Sequence, residues 1–157
     1  MNQFCLATAT LGLSLFSLAA SAQPAPALTA YYGLKDALVD TDAAKAKTQA
    51  ATLSSALAKL DAAKLSTADK KALTMAKTKA AAISKSTDVE GQRAQFEMLS
   101  TSMIALTKAT KPAKAFVQFC PMAGGGKGAL WLSDKREVRN PYYGDKMLRC
   151  GSVKEEI

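Results

Sequence analysis

The stretch DTDAAKAKTQAATLSSALAKL, residues 40–60, decides the architecture. Asp40-Thr41-Asp42 supplies side-chain oxygens suited to the orphan amides of a helix start. Ala46, Ala50, Leu53, Leu57 and Leu60 then recur at spacings of three and four, which lines one face of a helix. Upstream, Leu28 to Val39 reads as a helix with Tyr31, Leu34 and Leu38 on one face, and Tyr31-Tyr32 is the expected aromatic anchor. Downstream, Leu65-Ser66-Thr67 breaks the pattern, and Ser66 stands three residues before Asp69 as in a loose capping box. A third helix follows with Leu73, Ala76, Ala80 and Ile83 inward. After Ser86-Thr87-Asp88 a fourth carries Phe96, Leu99, Met103 and Leu106. It should end before Lys111-Pro112, because proline disfavours helix at the preceding residue. Residues 28–111 hold no proline and two glycines, Gly33 and Gly91. Short breaks between helices make neighbours antiparallel, so these residues predict an up-and-down bundle of about four helices. Met75, Met98 and Met103 read as core filling, the usual role of a methionine at helical spacing.

The composition changes at Pro112. Six of the nine glycines, the only tryptophan, Cys120 and Cys150 lie in residues 112–157, which read as a small irregular α+β segment packed on or beside the bundle. Ala115–Cys120 and Ala129–Ser133 read as two strands of a short hairpin. Asn140-Pro141-Tyr142-Tyr143-Gly144 is turn chemistry, and Asp145–Cys150 reads as one helical turn. Gly124-Gly125-Gly126-Lys127-Gly128 lacks the first glycine and the Ser/Thr of a phosphate loop, so it reads as a plain loop.

At the other end, Leu6–Ala20 is apolar or small and is followed by Ala20-Ser21-Ala22. Residues 1–22 therefore read as a removable signal peptide, despite lacking a basic start, and 23–27 as a Pro/Ala linker. Cleavage near Ala22 removes Cys5 and predicts a periplasmic or secreted chain with no transmembrane anchor. The net charge of +8 is spread, with 13 Lys+Arg against 8 Asp+Glu in residues 23–111 and 8 against 5 in 112–157. No basic stripe with interleaved aromatics exists, which argues against nucleic acid as a partner. With no histidine in the chain, and cysteines outside any Cys-x-x-Cys arrangement, enzyme chemistry has no support and no catalytic or cofactor-binding residue is assigned.

The chemistry-bearing residues are Cys120-Pro121-Met122 and Met147-Leu148-Arg149-Cys150, near mirror images of each other. A continued strand would put Cys120 and Met122 on one face, and a helical turn would do the same for Met147 and Cys150. Two thiols and two thioethers would form a soft donor set selecting Cu(I) or Ag(I). Lys146 and Arg149 should lower a neighbouring thiol pKa. Trp131 and Tyr143 would cover the site. The competing reading is a structural disulfide between Cys120 and Cys150, the default for two cysteines in an exported chain, with Met122 and Met147 as core residues.

Three runs, Cys120-Pro121-Met122-Ala123, Gly128-Ala129-Leu130-Trp131-Leu132-Ser133 and Asn140 through Gly151, together with Tyr31–Val39, resemble the family catalogued as domain of unknown function 3347. The resemblance covers nearly all of the chain after Ala22. It implies an exported or periplasmic domain, found alone and also fused to periplasmic adaptor subunits of copper/silver efflux systems. Carried over, the matching residues are Cys120, Met122, Met147 and Cys150. The expectation is a periplasmic Cu(I)/Ag(I) scavenger or carrier with a heavy-metal efflux adaptor or other periplasmic metal-handling protein as partner. The alternative is a disulfide-stabilised helical interaction module that binds no metal.

Overall fold

The computed structural model describes residues 25–157, so the expected signal peptide and Cys5 lie outside the described residues. Four helices come first: α1 (Pro26–Val39), α2 (Ala43–Ala58), α3 (Thr67–Lys85) and α4 (Val89–Thr110). Each start has a local cause. Pro26 sits in the first turn of α1, where a missing N–H costs nothing, and this draws two residues of the expected linker into the helix. Asp42 caps α2 by accepting from the Lys45 amide, Ser66 caps α3 from Asp69, and Asp88 caps α4 from Gly91. Lys111 ends α4 in the left-handed region at φ 43°, just before Pro112.

Consecutive helices pack against one another through short connections, giving the antiparallel mainly helical bundle expected from the periodicity. Ala46, Ala50, Leu53 and Leu57 of α2 are buried, as are Leu73, Ala76, Ala80 and Ile83 of α3. The methionines divide. Met103 is buried, but Met75 and Met98 are exposed, which corrects their reading as core. Each precedes a buried residue in its helix, Ala76 and Leu99, and is not itself a buried position.

Beyond α4 the chain forms a three-stranded antiparallel sheet in the order β2-β1-β3, with β1 (Phe116–Cys120) central, β2 (Ala129–Ser133) and β3 (Ser152–Glu156). The expected hairpin is there, pairing Phe116 with Ser133 and Cys120 with Ala129. The third strand was not expected. Ser152-Val153-Lys154-Glu155-Glu156 has one apolar residue and is largely exposed, so no alternation marks it. Such charge suits an edge strand, because it discourages pairing with another chain. Lys108 of α4 pairs with Glu155, and Lys114 with Glu156.

The outer edge of β2 is closed by one tyrosine of the bundle and one of the C-terminal segment. The Leu132 amide donates to the Tyr31 hydroxyl at 3.2 Å, and the Tyr142 hydroxyl donates to the Leu130 carbonyl at 2.6 Å. Two phenols thus satisfy backbone groups that a sheet edge would leave open. Burial pushes the pKa of both Tyr31 and Tyr142 well above the ordinary phenol value. A chain of ring contacts runs from Tyr31 to Phe96 (5.4 Å, stacked), to Tyr142 (5.7 Å) and to Trp131 (5.9 Å), joining helices and sheet in one core.

Candidate functional site

The cysteines meet at the end of the sheet. Cys120 closes β1 and is fully buried. Pairing of Phe119 with Ser152 brings the residues just before β3 alongside the end of β1. Gly151 makes this approach possible. Its φ of +141° is a glycine conformation, and a Cβ there would stand 2.7 Å from the Phe119 carbonyl and 3.0 Å from the Trp131 ring. The result is that the Cys150 thiol sits as an interacting neighbour of Cys120. Both are free thiols.

That contact raises the Cys150 pKa, with burial as the second cause; the Met122 backbone amide opposes them by favouring the thiolate. The expected lowering by Lys146 and Arg149 is therefore reversed. Both side chains are exposed, and the neighbouring Cys120 thiol together with burial outweighs cations held in solvent.

The methionines are arranged differently from the expectation. β1 stops at Cys120 and Pro121–Lys127 is a turn, so strand alternation does not carry Met122 to the face of Cys120. Met122 is 53% exposed, and it reaches the thiol pair through its backbone. Met147 is half-buried at the end of a 3-10 turn spanning Gly144–Met147, not an α-helical turn, and its carbonyl accepts from the Cys150 amide at 3.0 Å.

Around the thiols lies a polar frame that residue types alone did not reveal. Buried Asn140 donates through Nδ2 to the Cys150 carbonyl at 3.0 Å, accepts from the Tyr142 amide at 2.9 Å, and donates its own amide to the Leu148 carbonyl at 2.8 Å. The Asn140-Pro141 dipeptide signalled a turn, but only the fold shows which carbonyl Asn140 holds. The Tyr143 hydroxyl donates to the Met122 carbonyl at 2.6 Å and fixes the turn beside the thiols. Trp131 is buried against Gly151, next to Cys150. Arg93 of α4 donates to the Pro141 carbonyl at 2.9 Å and to the Leu38 carbonyl at 2.8 Å, which ties this segment to the end of α1. Gln118 Nε2 contacts the Lys135, Arg136 and Glu137 carbonyls at 3.0, 3.2 and 3.1 Å and organises the loop after β2.

Among the described residues, no group of three or more His, Cys, Asp or Glu side chains converges. The donor set in this corner is thus two adjacent thiols with neutral thioether sulfurs nearby in the chain. Two thiolates suit a soft monovalent ion, which accepts low coordination and needs no hard oxygen ligands. A groove of about 410 Å³ between the start of α1 and α2 is lined chiefly by Ala27, Ala56 and Leu60 and carries no such donors. No helix among the described residues is long and apolar enough to cross a membrane.

Comparison with known families matches residues 27–115 to the family described as "Protein of unknown function (DUF3347)". The match takes in all four helices and ends before Cys120, so it does not extend over the motif-bearing tail. No curated protein and no solved structure matches.

Proposed function

The chain belongs to the DUF3347 family, and from that premise we propose that it binds Cu(I) or Ag(I) through Cys120 and Cys150, as a periplasmic scavenger or carrier and not as an enzyme. The observation that carries this reading is that strand pairing at the closed end of the sheet makes the two free cysteines neighbours. Sulfurs already adjacent need little rearrangement to share one ion. A soft cation held by two thiolates loses its water and gains strong, polarisable donors. Loading releases the thiol protons to solvent. The Met122 amide then stabilises the Cys150 sulfur in its charged form, and Asn140 keeps the Cys150 backbone in place. Met122 and Met147 serve as thioether donors beside the thiols, and the exposure of Met122 suits it to meet an ion on arrival or release. The partner is a periplasmic metal-handling protein, such as a heavy-metal efflux adaptor, that takes the ion onward.

The same contact also supports a disulfide, which would close a loop of about thirty residues and stabilise by roughly 3–4 kcal/mol in the chain-entropy model. The protein would then be a stapled helical interaction module without metal. A Cu(I) competition titration of the fully reduced chain against a chromophoric chelator separates the two. Stoichiometric binding lost in Cys120→Ser/Cys150→Ser supports the metal site. Failure of the reduced wild type to compete leaves the cysteines as a structural bridge.

A further inference from the structure

Three large apolar side chains are exposed among the described residues, and all three are methionines: Met75 at 37%, Met98 at 46% and Met122 at 53%. Every described leucine, isoleucine, phenylalanine and tryptophan is at least partly buried. On a helix Met and Leu have nearly equal propensity, so helix formation does not explain the choice. What distinguishes methionine is its soft, polarisable sulfur.

Met75 on α3 and Met98 on α4 also share one level of the bundle. Lys79 Nζ donates to Gln95 Oε1 at 2.8 Å across the α3–α4 seam. The helices run antiparallel, joined through residues 86–88 alone. Position 75 lies one turn before Lys79, and position 98 nearly one turn after Gln95. Moving one turn along an antiparallel seam therefore brings both methionines abreast. Both are exposed, each followed in its helix by a buried residue, Ala76 and Leu99. The tail packs against α1 and α4, through Tyr31 and Phe96.

We propose that Met75 and Met98 form a second soft-metal site, a two-thioether clamp for Cu(I) or Ag(I) on the bundle face. It stands on an observation independent of the Cys120/Cys150 pair and survives the failure of that reading. Thioethers carry no proton near neutral pH and bring no negative charge. The clamp is therefore weaker than a dithiolate, and its affinity does not change with pH, whereas a thiol site tightens as pH rises.

The test is an Ag(I) titration of reduced full-length chain labelled at the methionine methyl carbons, followed by NMR. The Met75 and Met98 signals are expected to shift together along one saturation curve, while buried Met103 stays still. Met75→Leu should weaken the response of Met98 by about tenfold or more, because a second ligand in place acts at high effective concentration. The curve should be the same at pH values on either side of neutrality. Separate curves, an unchanged Met98 response in Met75→Leu, or no shift at silver concentrations well beyond those that saturate the Met122 and Met147 signals would each overturn the clamp. The Met122 and Met147 signals report on the dithiol corner in the same spectra.

Discussion

Replacing Tyr31 with phenylalanine removes a single oxygen from the point where α1, α4 and β2 meet. That oxygen accepts from the Leu132 amide at 3.2 Å and shares a 2.6 Å hydrogen bond with Ser100 Oγ. The ring itself remains stacked on Phe96, so no cavity larger than the hydroxyl is left. Two hydrogen bonds go, and the Leu132 N–H is left at the sheet edge with no side chain to replace its partner. A net loss per bond near 1 kcal/mol, plus the desolvation of one stranded donor, gives about 2–3 kcal/mol. For a chain of this size that lowers the melting temperature by about 6–15 °C. The assay is thermal unfolding followed by far-UV circular dichroism, with urea unfolding as a check that the m-value is preserved. Ser100→Ala removes only the other partner and should cost about 1 kcal/mol, with the two substitutions coupled in a double-mutant cycle. A Tyr31→Phe melting point within about 2 °C of wild type would refute the reasoning, since the β2 edge would not then depend on the phenol for its docking.

Other perturbations bear on the thiol corner. Asn140→Ala strands the Cys150 carbonyl and the Tyr142 amide and should cost about 2–4 kcal/mol, with Cu(I) affinity falling as well if the frame positions the thiol. Gly151→Ala puts a methyl 2.7 Å from the Phe119 carbonyl at a φ of +141°, so it should destabilise by about 1–3 kcal/mol and shift the amide signals of β1 and β3. The Cys150 pKa is raised in the folded chain, so its contribution to the stability of reduced protein is complete below the ordinary thiol value of 9.0 and fades as pH rises through the folded value. Wild type should therefore lose stability relative to Cys150→Ser between neutral pH and above pH 9.0, measured by melting under reducing conditions; a constant difference would contradict the thiol–thiol contact. Met122→Leu should leave the melting point nearly unchanged because the side chain is largely in solvent, and calorimetry of Ag(I) binding would register whether the thioether takes part.

The helices were legible because their causes are local. Capping residues at Asp42, Ser66 and Asp88, apolar spacings of three and four, and Pro112 set four helices within a residue or two. The strands β1 and β2 were equally plain from aromatic and β-branched content. β3 was not, since a charged edge strand has no pattern of its own and exists only because β1 offers it a ladder. The same limit applied to the methionines. Periodicity placed Met75 and Met98 near the apolar stripe, and only the packed structure shows both of them exposed.

By itself, then, the sequence determined the bundle, the break at Pro112, and the residue types of a soft donor set, all properties carried within a few neighbouring positions. Tertiary structure alone decided that Cys120 and Cys150 are neighbours while Met122 faces solvent, and that Tyr31 and Tyr142 close the edge of β2. Those outcomes depend on strand register and helix-to-sheet docking across separations of up to 101 residues. At such distances the deciding terms are which backbone groups must be satisfied and which surfaces must be buried together, and neither is written in local spacing.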